Sequence, residues 1–67
     1  MGTTEIRNSY GQVVAYIEDM FNGNKQIRDA TSLKILGTYD CGSNVTWDEN
    51  LKVVGYGNLL TSLIKFR

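Results

Sequence analysis

The chain has 67 residues, seven Lys and Arg balanced by seven Asp and Glu, one cysteine, and neither histidine nor proline. That length gives a single domain, residues 1–67, burying only ~60% of the surface its unfolded chain exposes, which is a marginal core. One cysteine closes no disulfide within the chain and, without histidine, falls short of the about four ligands of a structural zinc site, while zero net charge lacks the basic excess of nucleic-acid binders.

Self-association is the support that remains, so the expected partner is a second copy of the chain in a homo-oligomer. No run of about 20 apolar residues is present to span a membrane. Met1–Glu5 lacks the basic-then-apolar order of a signal peptide, and Ile6 stands where a myristoylation signal needs Ser or Thr. These features predict a soluble, cytoplasmic protein with a reduced thiol, no cofactor, and neither a membrane nor a nucleic-acid polymer as partner.

In chain order, the first predicted hairpin covers about residues 3–18, with strands at 3–8 and 12–18 and turn chemistry in Asn8-Ser9-Tyr10-Gly11. Phe21-Asn22-Gly23-Asn24 follows, with an Asn-Gly reversal signal. A second hairpin is predicted over about 25–39 across Asp29-Ala30-Thr31-Ser32, then the linker Cys41-Gly42-Ser43-Asn44. The third covers about 44–56 across Asp48-Glu49-Asn50. Gly11 and Asn50 are expected to carry the positive φ late in their turns. From about 58 to 66 the period changes: Leu59, Leu60, Leu63 and Ile64 fall at helical spacing after an Asn58 N-cap, with Lys65 and Arg67 at the C-terminal end. The fold class is therefore mainly β: a meander of three repeated antiparallel β-hairpins, about six short strands, followed by a short C-terminal α-helix.

The three hairpins share one phrase: Arg or Trp, then Asn or Asp, a polar turn, two branched apolar residues, and Ala or Gly. It begins at Arg7, Arg28 and Trp47, giving a period of roughly 20 residues, within the range of repeat architectures. With Asn8, Asp29 or Asp48 at the turn and Val14-Ala15-Tyr16, Leu36-Gly37-Thr38 or Val54-Gly55-Tyr56 on the return strand, the unit resembles the small β-flower domains over about residues 5 to 64. That resemblance implies hairpins radiating like petals and closed by a short apolar segment. Two departures stand out: Thr31-Ser32 lengthens the second turn by one residue, and Ala15 replaces the glycine of the other copies.

Enzymatic chemistry is not expected. Histidine, the commonest general acid or base, is absent. Asp29 and Asp48 have structural work at turns, and Cys41 has no neighbouring base, so it reads as a half-buried structural thiol. Gly55-Tyr56-Gly57 before Asn58 lacks the third glycine and βαβ context of a nucleotide fingerprint and reads as a corner. The branched residues Val13, Val14, Ile17, Ile35, Leu36, Val53 and Val54 read as core, their consecutive pairs implying a sheet covered on both faces.

The strongest candidate binding set is Arg7, Arg28 and Trp47 at equivalent points of the repeat, with Tyr16, Thr38 and Tyr56 nearby. Guanidinium forks and aromatic faces suit a planar anion such as a cyclic nucleotide, held between subunits. The competing expectation is cross-strand pairing of the two arginines to carboxylates, with Trp47 packed on the helix. Leu59, Leu60, Leu63 and Ile64 are the candidate oligomer interface, with Met20-Phe21 as a loop-borne contact to a neighbour. Three functions stay open: a non-enzymatic homo-oligomer that sequesters an anionic small molecule, by analogy with small phage proteins that hold cyclic-nucleotide messengers; a ligand-free oligomerisation module; and a protein-interaction domain.

Overall fold

A computed structural model describes residues 2–64. Six antiparallel strands form one sheet in sequential order: β1 (Thr3–Arg7), β2 (Val13–Asp19), β3 (Lys25–Asp29), β4 (Ile35–Asp40), β5 (Val45–Asp48) and β6 (Val53–Tyr56). This is the mainly β hairpin meander that the alternation of β-branched runs with Asn, Asp and Gly turns encodes. Among the described residues no helix is long and apolar enough to cross a membrane.

The repeat holds in the backbone. Asn8, Asp29 and Asp48 each close a turn in which the residue's own N–H bonds the carbonyl of Gln12, Lys34 or Lys52 at 2.9 Å. The second closure spans one residue more than the others, as the Thr31-Ser32 insertion requires. The residue in the left-handed conformation is Gly11 (φ 79) in the first turn, Leu33 (φ 63) in the second and Leu51 (φ 63) in the third. Positive φ therefore falls on Leu51 and not on Asn50. Asn50 instead donates its N–H to Asp48 Oδ1 at 2.8 Å, which fixes it one place earlier in the turn.

Each hairpin also carries a bulge at the same place. Ile6, Ile27 and Thr46 pair with Ala15, Gly37 and Gly55, while Arg7, Arg28 and Trp47 pair with Val13, Ile35 and Val53. Val14, Leu36 and Val54 are the extra residues between those pairs. The branched doublets thus straddle a bulge, which sends neighbouring side chains to different surroundings without covering both sheet faces. Val14 and Leu36 pack against the core, whereas Ile35 and both Val53 and Val54 stay exposed, so the third doublet is not core.

The core lies on the inner face, where Ala15 and Ile27 meet Leu60 and Ile64, flanked by Ile6, Ile17, Tyr39 and Leu63. Within residues 58–64 the chain forms a 3-10 turn, Leu60–Leu63, in place of the expected helix over 58–66; Lys65–Arg67 lie outside the described residues. Ile64 is already extended at φ −78, ψ 130. The Ser62 hydroxyl donates to the Leu59 carbonyl at 2.6 Å, competing with helical pairing, and a helix this short has little intrinsic stability to resist. The corner leading into it is fastened by Thr46. Its buried hydroxyl donates to the Gly57 carbonyl at 2.6 Å and accepts the Leu59 N–H at 3.0 Å.

Candidate functional site

The register divides the predicted binding set into two groups on the outer face. Tyr16 lies directly across from Arg28 on one side and Glu5 on the other, so β1–β3 carry Arg7, Tyr16 and Arg28 close together. Trp47 and Tyr56 sit on β5 and β6, opposite Thr38 and Val45. With strands about 4.8 Å apart, Arg7 and Trp47, four strands apart in the sheet, do not share a pocket.

Both arginines are engaged within the chain. Arg7 donates to Glu5 at 2.8 Å and to the Gly11 carbonyl at 2.7 Å. Arg28 repeats the arrangement, donating to Glu18 at 3.1 Å and to the Leu33 carbonyl at 2.7 Å. In each case the guanidinium ties a carboxylate, Glu5 on the same strand as Arg7 and Glu18 on the strand beside Arg28, to the carbonyl of the left-handed turn residue. Glu18 also accepts from the Gln26 amide at 2.6 Å. That amide, and then Arg28, hold the Glu18 carboxyl below its ordinary value. Asp19 is lowered by its Lys25 partner, and Asp40 chiefly by the Ser43 hydroxyl. The β1–β3 half of the outer face is thus charged, paired and neutral overall.

The β4–β6 half is different in kind. Thr38, Trp47 and Val53 form one cross-strand row, and Asp40, Val45 and Tyr56 the next. Trp47 is half-buried beside a cleft of about 480 Å³ that it shares with Met20, Leu51, Thr38, Lys25 and Asp40. On this half Leu51, Val53 and Tyr56 are all more than half exposed, as is Phe21 next to Met20 in the chain. Trp47 therefore stands on the face opposite the Leu60–Leu63 turn and does not pack against it.

A second hollow, of about 930 Å³, opens between the three hairpin tips and is lined by Asp29, Asp48, Glu49, Lys34, Leu36 and Leu63 among others. Three carboxylates against one ammonium make it a poor seat for an anion. Among the described residues no group of three or more His, Cys, Asp or Glu side chains is placed to hold a metal ion. Cys41 is exposed, not half-buried, because it sits on the β4–β5 turn; its thiol donates to the Asn22 carbonyl at 2.9 Å.

The apolar tail residues Leu59, Leu60, Leu63 and Ile64 are taken up within the chain's own fold. Leu60 is fully buried, Ile64 is nearly so, and Leu63 lies over Gly37. Leu59 is half-buried and abuts Gly55. Of the exposed apolar residues on this half, Tyr56 belongs to the predicted binding set, whereas Leu51 and Val53 escaped the sequence reading as surface. The signal that marks this surface is the absence of charge from Val53 to Gly57, where β1 carries Glu5 and Arg7. Comparison with protein-family models, with curated proteins and with solved structures finds no match for this chain.

Proposed function

We propose that this protein is a non-enzymatic, cytoplasmic β-flower-type module that works as a homo-oligomer. One observation carries the reading: the outer face over β4–β6 leaves Leu51, Val53 and Tyr56 exposed beside Trp47, next to Met20 and Phe21. Contiguous exposed apolar surface of this kind marks interaction sites, and here it stands against a core of five buried apolar side chains among the described residues. Native mass spectrometry of the purified chain tests it. The expected result is a defined oligomer that persists on dilution to micromolar concentration, and a monomer at that dilution would refute it.

A second reading is that the oligomer binds a small anionic molecule, of the nucleotide class, between subunits. The juxtaposition of Tyr16 with Arg28 favours it, because a phenol face and a guanidinium offer stacking and a hydrogen-bond fork together. An anion would have to compete with Glu5 and Glu18 for the two arginines. Adding cyclic and linear nucleotides to the same spectra decides the matter: an adduct lost in Arg28→Gln supports binding there, and unchanged masses count against it.

A further inference from the structure

We infer that copies of this chain add head to tail, the outer edge of β6 (Val53–Tyr56) in one copy pairing antiparallel with the outer edge of β1 (Thr3–Arg7) in the next. The inference rests on the self-association proposed above and names its interface.

The hairpins already make this contact twice inside the chain. The return strand of the first hairpin meets the opening strand of the second through Ala15↔Asp29 and Tyr16↔Arg28. The second meets the third through Gly37↔Asp48 and Thr38↔Trp47. These are the same repeat positions in the same register, so the outer edge of a return strand fits the outer edge of an opening strand. Among the described residues, β6 and β1 each keep one edge that no strand pairs. Carried one unit further, the register sets Gly55 against Asn8 and Tyr56 against Arg7 of the next copy. Tyr beside Arg repeats the first junction. Arg28 faces Tyr16 while holding Glu18 and the Leu33 carbonyl, so the bonds of Arg7 to Glu5 and the Gly11 carbonyl do not obstruct the same pairing.

Burial shows what each open edge lacks. Ile27 and Thr46 are buried at the internal junctions, whereas their equivalent Ile6 is only half-buried. The Arg28 side chain is 31% exposed and that of Arg7 53%. Tyr16, between two strands, is half-buried, and its equivalent Tyr56 is 79% exposed. Unpaired backbone groups along an edge are a template for strand addition, which soluble proteins commonly block with charge or proline. Residues 53–57 contain neither. The chain beyond β6 leaves this edge open: Gly57 (φ 86) bonds the Asn44 carbonyl at 2.7 Å, and Leu60–Leu63 packs over β3 and β4. Because the two edges differ, each copy offers one to the copy before it and the other to the copy after, the heterologous contact that closes into a ring or extends as a filament.

Cysteine pairing on the full chain tests the contact, in a Cys41→Ser background that leaves no other thiol. Directly opposed residues on paired strands stand within disulfide reach. Arg7→Cys and Tyr56→Cys chains are mixed under mild oxidation at a concentration where the wild type sediments as an oligomer. The mixture should give about tenfold more linked dimer than either chain alone. Both positions are exposed, and each variant should keep the circular dichroism of the wild type. A Tyr56→Cys chain that links to itself as readily as to Arg7→Cys would mean that two β6 edges meet, and would overturn the inference. Mixtures that fail to link while the wild type is assembled overturn this interface and leave self-association standing. A wild type that sediments as a monomer overturns both.

Discussion

The small residue that recurs at Ala15, Gly37 and Gly55 offers a sharp test, because the same substitution should have different consequences at equivalent positions. A Cβ built on Gly37 comes to 2.5 Å from the Trp47 carbonyl oxygen and also overlaps the Leu63 side chain. The carbonyl would have to retreat about 0.5 Å to reach the 3.0 Å below which such contacts essentially do not occur. That oxygen belongs to β5, paired with β4 on one side and β6 on the other, so it moves only with its strand. Overpacking costs ~1–3 kcal/mol, and a backbone obstacle puts Gly37→Ala in the upper part, about 2–3 kcal/mol. At Gly55 the added methyl meets only the Leu59 Cδ1 at 2.7 Å, the far end of a side chain that can rotate away. Gly55→Ala should therefore cost under about 1 kcal/mol. Urea unfolding followed by circular dichroism, at fixed protein concentration, measures both. With m near ~1 kcal/mol per molar for so small a chain, Gly37→Ala should lower the midpoint by ~2 M, about half or more of the stability expected at this size. Equal effects at the two glycines would refute the reasoning, since its only premise is the difference in what each methyl strikes.

Relief of backbone strain should stabilise the second turn: Leu33→Gly, at φ 63, trades a left-handed penalty of ~1–2 kcal/mol for a smaller entropic one. A melting temperature raised by about 2–8 °C is expected, and a fall would show that the Leu33 side chain makes a contact worth more than the strain. Asp48 Oδ1 accepts the N–H groups of Asn50 at 2.8 Å and Lys52 at 2.9 Å, so Asp48→Ala should lose about 1–2 kcal/mol. Asp48→Asn, which copies Asn8 of the first turn, should recover most of it in the same unfolding assay; a failure to do so would point to the charge and not the acceptor. In acid, Glu18, Asp19 and Asp40 have folded values below their unfolded ones. Their contribution is therefore present above the ordinary carboxylate range near about 4 and is lost as pH falls through the lower folded values. Unfolding free energy measured against pH should be level above that range and decline beneath it, and Glu18→Gln should flatten the decline.

The hairpins were legible because their signals are local. Asn8, Asp29 and Asp48 organise their turns through their own side chains, and β-branched runs between such turns have few alternatives to strands. The equivalence of the three turns followed from the same phrase, including the longer second turn, whereas the pairing register of the first two hairpins is set by the bulges at Val14 and Leu36. Local patterning misled at the tail, where Leu59, Leu60, Leu63 and Ile64 keep helical spacing but dock as a 3-10 turn. Thr46 holds the preceding corner, a long-range contact that shows in the sequence only as a Thr where the other copies have Ile6 and Ile27. The candidate site divides along the same line. Equivalence of Arg7, Arg28 and Trp47 was written in the repeat, but whether equivalent residues meet depends on how far apart the sheet sets them. Strand order put Arg7 and Arg28 among carboxylates and left Trp47 with apolar neighbours two strands beyond Arg28. A repeat fixes what each unit presents; only packing of the units decides which of those surfaces are consumed inside the fold and which are left to meet a partner.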